Sequence, residues 1–246
     1  MVNKSLGQHW LKNRVILDEI AELAGEGELC LEIGPGLGTL TSSLLKRFKK
    51  VIAVEFDQRL AENLPKSFPG KNLEVINEDI LQFDFSKLEQ PFVVAGNIPY
   101  YITGPIIEKL LTAPKLPAII VLLMQKEVAE RIVDEKETML SLFVKNRAEA
   151  ELGPVVKKDE FTPPPKVDSQ VVVFRPFPDG PLYKDEIFET IKLAFRAPRK
   201  KLIHNLATKK SREELAEIFR GLELNVNARP ADLHIRDYYN LHQSLK

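Results

Sequence analysis

The sequence predicts an α/β fold, a parallel, doubly wound sheet followed by a small all-helical domain. Three observations carry the expectation. Apolar, β-branched runs recur without polar–apolar alternation, as strands buried on both faces require. Stretches with apolar residues at helical spacing separate them. Beyond the Pro- and Gly-rich segment 174–183 (FRPFPDGPLY) the pattern becomes purely helical.

The expected strands are ELCLEIG (28–34), VIAVEF (51–56), LEVINED (73–79), PFVVAGN (91–97) and AIIVLLM (118–124). SQVVVFRP (169–176) makes a last strand, with a partner around 148–156. Between them lie the helical stretches LGTLTSSLLKRF (37–48), DQRLAENL (57–64), GPIIEKLL (104–111) and KEVAERIVDEKETMLSLFVKN (126–146). Strand–helix alternation argues for parallel strands joined by crossovers. The linker divides the chain into a Rossmann-like domain, 1–178, and a helical domain, 184–246. In the latter, Ser211-Arg-Glu-Glu214 has capping-box spacing, and Gly221 stops the helix it starts.

Composition narrows the function. At 246 residues, 44% hydrophobic and 28% charged, the chain is globular, not disordered. Its longest apolar run falls far short of the roughly 20 residues of a membrane span, and no signal-peptide core opens the chain. A cytoplasmic monomer without membrane contact is expected. The single cysteine, Cys30, sits in an apolar run and reads as a buried thiol. His9, His204, His234 and His242 show no metal-ligand spacing, so no metal is expected. Net charge is zero, but 192–212 carries eight basic residues and no acid. That run is either a solvated face or a surface for a polyanion.

LEIGPGLGTLT (31–41) places Gly34, Gly36 and Gly38 between a strand and a helix, where backbone N–H groups can approach a ligand. Two details argue against pyrophosphate. Glu32 would repel it, and Pro35 removes an N–H. A cationic nucleoside fits better, and S-adenosylmethionine is the obvious one. Glu55 ends the second strand where a carboxylate grips a ribose diol. Asp79 follows the third, placed to accept from an adenine amino group. Each acid alone could simply solvate a strand end; three in succession behind a glycine loop argue for cofactor binding.

The fourth strand runs into NIPYYIT (97–103) at the same carboxyl edge. An exocyclic base amine is a poor nucleophile because its lone pair is delocalised into the ring. Acceptors for its N–H groups help it pyramidalise: the Asn97 side-chain carbonyl and the Ile98 carbonyl, aimed by rigid Pro99. Tyr100 can stack on the flat base. The plainer reading is a Pro turn with a core tyrosine.

These motifs together resemble the bacterial small-subunit (16S) ribosomal RNA adenine N6,N6-dimethyltransferase family. KSLGQHWL (4–11), LEIGPGLGTLT, NIPYYIT, LMQKEVAER (123–131) and FTPPPKVDS (161–169) follow in that family's order, nearly end to end. The resemblance implies a Class I methyltransferase fold with a mostly parallel seven-stranded sheet. It implies S-adenosylmethionine as cofactor and N6,N6-dimethylation of two adjacent adenosines in the 3′-terminal hairpin of 16S rRNA. By position, His9, Leu11, Gly34, Glu55, Asp79 and Asn97 would hold the cofactor. Tyr100 and Phe161 would sandwich the extruded base; the plainer role for Phe161 is to cover the sheet edge. The sequence departs from the family at His9 and Trp10, usually Asn and Phe, and at Tyr101, commonly Asn. KETMLSLFVKN (136–146) lacks the usual Gly-Arg and Gln.

Within 192–212, the residues expected on RNA phosphates are Lys192, Arg196, Arg199, Lys200, Lys201, Lys209 and Lys210. Lys4, Lys12 and Arg14 are weaker candidates. Two alternatives stand beside the main reading: a large-subunit rRNA adenine methyltransferase of the macrolide-resistance type, and a non-catalytic RNA-binding assembly or transcription factor. LGQ and IGPGLG favour the small-subunit family over the first, and the intact acids with Asn97 and Tyr100 argue against the second.

Overall fold

A computed structural model describes residues 8–89 and 91–246. Its strands are β1 (Trp10–Leu11), β2 (Gly27–Ile33), β3 (Phe48–Glu55), β4 (Leu73–Asn77), β5 (Val93–Asn97), β6 (Ile119–Gln125), β7 (Ala148–Val156), β8 (Phe161–Thr162) and β9 (Ser169–Pro176). The helices begin with α1 (Arg14–Leu23), α2 (Thr41–Leu44), α3 (Gln58–Asn63), α4 (Thr103–Leu111) and α5 (Lys126–Val133). They continue with α6 (Met139–Lys145), α7 (Ile187–Ala194), α8 (Leu202–Leu206), α9 (Arg212–Gly221) and α10 (Ile235–Leu245).

Seven strands form one sheet in the order β4-β3-β2-β5-β6-β9-β7. The pairs β2–β3, β3–β4, β2–β5 and β5–β6 are parallel, and β6–β9 is antiparallel. This is the mostly parallel seven-stranded sheet of the Class I fold. The chain winds from β2 outward to β4 and then returns to β5 on the other side of β2. The carboxyl ends of β2 and β5 therefore flank the topological switch point, where open α/β sheets bind ligands. Central strands are buried on both faces, as their sequences require; β4, at the edge, leaves Glu74 and Asn77 exposed. Cys30 lies in this core, and burial holds its thiol well above the usual range.

Three elements differ from expectation. α1 precedes the first strand and was not among the expected helices; Asn13 starts it by accepting from the Val15 and Ile16 N–H groups, and Leu17, Ile20 and Ala21 face the core. The helix expected over 37–48 shrinks to Thr41–Leu44, because Lys46 and Arg47 bond back to the Ser43 and Leu44 carbonyls and β3 starts early, at Phe48. The stretch 126–146 divides into α5 and α6, since Thr138 and Ser141 form a capping box that opens a new helix.

The chain forms two compact units. The first takes the described residues up to Glu130 together with Glu149–Pro178; the second takes Arg131–Ala148 and Asp179–Lys246. The second is thus larger than a boundary at 184 implies, because Leu142 of α6 belongs to its apolar core with Ile191, Leu206, Phe219 and Tyr238. The buried Glu137 carboxylate binds this segment further, accepting from Ser141 and Lys145 and lying 3.1 Å from His234 Nδ1. The Ser211–Glu214 capping box and the end of α9 at Gly221 form as expected. No helix among the described residues is long and apolar enough to cross a membrane.

Candidate cofactor and adenine site

One cavity opens at the switch point of the first unit, with a volume of about 210 Å³. A single water needs roughly 10–15 Å³ by the same measure, so the space suits an organic molecule. Four strand ends build it. β2 supplies Ile33, Gly34 and Gly36, and β3 supplies Val54, Glu55 and Phe56. The end of β4 brings Glu78 and Asp79, and the end of β5 brings Asn97 through Ile102. His9 and Trp10 close it from the amino-terminal side.

Glu55 is nearly enclosed, and its two oxygens accept from the Gly36 N–H at 3.0 Å and the Asp57 N–H at 2.9 Å. Burial raises its carboxyl above the usual range, and those two N–H groups pull it partly back. Gly36 has φ +58°, and a Cβ there would lie 2.9 Å from Trp10 Nε1. The loop backbone and the indole are therefore in close contact, which only glycine permits. Asp79 accepts from the Leu81 N–H at 2.9 Å, fixing its carboxylate at the rim.

Asn97 is the most informative residue. Its Nδ2 donates to the His9 carbonyl at 2.8 Å, which turns Oδ1 the other way as an acceptor. The His9 imidazole is held as well: Nδ1 donates to the Pro163 carbonyl at 2.7 Å, and the ring lies within 20° of parallel to Tyr100 at 6.1 Å. The Ile98 N–H donates to the Leu123 carbonyl, setting the Asn97–Pro99 backbone on β6. Tyr100 is half-buried, and burial raises its hydroxyl above the ordinary value.

Of the residues expected in the site, His9, Gly34, Gly36, Glu55 and Asp79 line one cavity with Asn97, Ile98, Pro99 and Tyr100. Four expected residues do not. Glu32 lies in the interior close to Thr41, 1% exposed, with Oε2 lacking any hydrogen bond; burial pushes its carboxyl up to about 8. Gly38 faces away, where a Cβ would meet Leu64 and Phe68 at 2.7 Å. Leu11 and Phe161 are cross-strand partners in the β1–β8 pair, so their side chains share a face, and that face is the apolar core. Phe161 is 2% exposed and is not among the residues lining the cavity. Sequence reasoning also missed Trp10 and Phe56 as lining residues. Phe56 could have been found, since it directly follows Glu55 at a strand end, whereas Trp10 reaches Gly36 only through the β1–β8 pairing.

The basic run lies in the second unit. Lys192 projects from α7, whose buried face is Ile187, Thr190, Ile191 and Ala194. Arg196, Arg199, Lys200 and Lys201 follow on the connection to α8, and Lys209 and Lys210 precede α9. All are exposed except the partly covered Lys210. Lys201 donates to Asn227 at 2.6 Å. In the first unit, Lys12 is exposed, while Arg14 is occupied with the Thr39 carbonyl and Ser42. Lys4 and the Lys-Ser-Leu-Gly start of the first motif lie outside the described residues.

A family model for ribosomal RNA adenine dimethylases matches residues 1–246. The chain belongs to the ribosomal RNA adenine dimethylase family. Among its relatives, the ribosomal RNA small subunit methyltransferase A of Nostoc sp. is 39% identical, over 97% of this chain and 96% of its own. That of Lactobacillus johnsonii is 36% identical, over 99% and 90%. Among solved structures, a dimethyladenosine transferase from Plasmodium falciparum superposes with a TM-score of 0.79 at 30% identity, covering 94% of this chain and 95% of that one. A 23S rRNA methyltransferase gives 0.77 at 28%, covering 96% and 99%. As a family member the chain is an S-adenosylmethionine-dependent rRNA adenine dimethyltransferase. The residues present suit that cofactor: carboxylates at the ends of β3 and β4 for its hydroxyls and amino group, and a glycine loop without cationic side chains against a cationic ligand.

Proposed function

We propose that this chain transfers methyl groups to the N6 amines of two adjacent adenosines in the 3′-terminal hairpin of 16S rRNA, within the small ribosomal subunit or its precursor, acting as a monomer. The observation that carries the reading is the Asn97–His9 hydrogen bond, which fixes the amide so that Oδ1 accepts. The names of the small-subunit relatives support the choice of rRNA.

The cofactor supplies an electrophilic methyl group on a sulfonium. The chain's own residues prepare the nucleophile. Asn97 Oδ1 and the Ile98 carbonyl accept from the two N–H groups of the amine, drawing its lone pair out of conjugation with the ring. Tyr100 offers its ring to the base, worth about 1–3 kcal/mol by the usual base–aromatic measure. No strong base is required, because an N6-methylated ammonium loses its proton readily. In this reading Glu55 grips the ribose diol, Asp79 meets the cofactor's adenine amine, and Phe56 covers the adenine ring. The exposed cations of the second unit hold rRNA phosphates, and their contribution weakens with salt.

The test is methyl transfer from labelled S-adenosylmethionine to small subunits lacking the modification and, in parallel, to protein-free 23S rRNA, followed by nucleoside analysis. N6,N6-dimethyladenosine on the small subunit alone, lost in Asn97→Ala, is the expected result. Label on 23S rRNA would move the assignment to the large subunit. Binding without label on either would leave an assembly factor.

A further inference from the structure

The Phe161 ring of the motif FTPPPKVDS does not line the cavity, yet the motif's last residue touches Tyr100 directly. Ser169 Oγ lies 2.5 Å from Tyr100 Oη. Ser169 is fully buried, the first residue of β9, paired across the ladder with Gln125 of β6. Among the described residues, neither hydroxyl has another hydrogen-bond partner.

The segment leading to Ser169 is built to hold it still. Asp168 Oδ1 accepts from the Lys158 N–H at 3.0 Å, and Oδ2 accepts from Lys157 Nζ at 2.9 Å. The Asp168 carbonyl accepts from the Lys126 N–H at 3.1 Å. The loop from 157 to 168 is thereby closed on itself and sewn to the end of β6. The serine hydroxyl is fixed to the sheet, whereas Tyr100 sits on a short 3-10 turn, Tyr100–Ile102, none of whose residues is buried. A tyrosine ring on such a turn has freedom to tilt, and tilt moves the face on which a base would stack.

We propose that Ser169 is a positioning residue, which anchors the Tyr100 hydroxyl and so sets the plane of the ring against the target adenine. The inference rests on the reading of Tyr100 as the base platform. A packing role alone would not need two hydroxyls: phenylalanine and alanine would fill the same space without burying polar groups. The contact also gives the FTPPPKVDS motif a role in the site that does not require Phe161 to leave the core.

The experiment compares wild type, Ser169→Ala, Tyr100→Phe and the double variant. Each is assayed for kcat and KM on unmodified small subunits and for melting temperature. Each is also titrated with an rRNA hairpin carrying 2-aminopurine at the target position, whose fluorescence reports stacking without any methyl transfer. Either single change should lower kcat about tenfold, equivalent to about 1.4 kcal/mol, and reduce the fluorescence response. The double variant should be no worse than either single, because both remove the same bond. Wild-type kcat and fluorescence in Ser169→Ala, or losses that multiply in the double variant, would overturn the proposal. So would a loss matched only by a fall in melting temperature. If wild type methylates no small subunit, the function reading fails, and the 2-aminopurine arm still decides whether Ser169 sets the ring.

Discussion

Gly38→Ala separates the loop's architecture from its chemistry. Gly38 adopts φ +82°, where a side chain costs about 1–2 kcal/mol. An added Cβ would also lie 2.7 Å from Leu64 Cδ1 and 2.7 Å from Phe68 Cε2. Leu64 is buried and cannot swing into water, so relief requires a shift of the turn carrying both residues, a strain of about 1–3 kcal/mol. Their sum, near 3 kcal/mol, lowers the melting temperature by about 10 °C for a chain of this size. Gly104, in the first turn of α4, is the control: an added Cβ meets nothing within 4 Å, and alanine favours the helix. Gly38 does not line the cavity, so calorimetry well below the transition should show S-adenosylhomocysteine bound as tightly as by wild type. Gly38→Ala melting with Gly104→Ala would refute the packing account, and a large loss of affinity without loss of stability would place Gly38 in the site.

Glu32 and the basic run give two further expectations. Glu32 is mostly protonated at neutral pH in the fold, since burial pushes its carboxyl up to about 8, but ionised when unfolded. The folded state then holds the extra proton, so stability present at acid pH is lost as pH rises from about 4.5 toward 8, by a few kcal/mol. Denaturant melts of wild type should show that decline and Glu32→Gln should flatten it; parallel curves would refute it. Arg199 and Lys200 are exposed, and neither makes an ion pair among the described residues. Replacing both with alanine should weaken hairpin binding and reduce the log–log salt slope by about 1 to 2. An unchanged slope would remove them from the interface.

The sheet was legible because buried parallel strands have a distinctive composition: each expected run became a strand within a few residues. The cavity was legible for the same reason, since its residues sit at strand ends that topology must bring together. What was not legible depends on pairing across long sequence separations. Nothing in Trp10–Leu11 announces that it will pair with Phe161–Thr162, yet that two-residue ladder sends Leu11 and Phe161 inward and sets Trp10 over Gly36. Glu32 illustrates a second limit. Alternation along β2 puts it on the face opposite to its neighbour Ile33, which lines the cavity, and sequence alone gave no means of choosing the face. The domain boundary shows a third, because the linker is plain in the sequence but the packing of Leu142 into the second core is not.

Phe161 is where the sequence resemblance and the structure part most sharply, and one substitution decides between them. In the structure its ring belongs to the core shared by Leu11, Val121, Leu123 and Val171. Truncation to alanine should then cost about 3–5 kcal/mol. Phe161→Leu keeps most of the volume and should cost less than about 1.5 kcal/mol. A ring that instead stacked on the target base would behave in reverse. Leucine would preserve stability equally well but lose the aromatic face, and the barrier to methyl transfer would rise by about 1–3 kcal/mol, slowing it roughly five- to 150-fold. The readouts are melting temperature and single-turnover methylation of small subunits, with Tyr100→Leu alongside as the variant that must lose turnover on either view. Phe161→Leu with near-normal turnover places the ring in the core throughout the reaction. Phe161→Leu as impaired as Tyr100→Leu, with its melting temperature intact, means that β8 leaves β1 when RNA binds. The resting structure would then be a closed form that substrate opens.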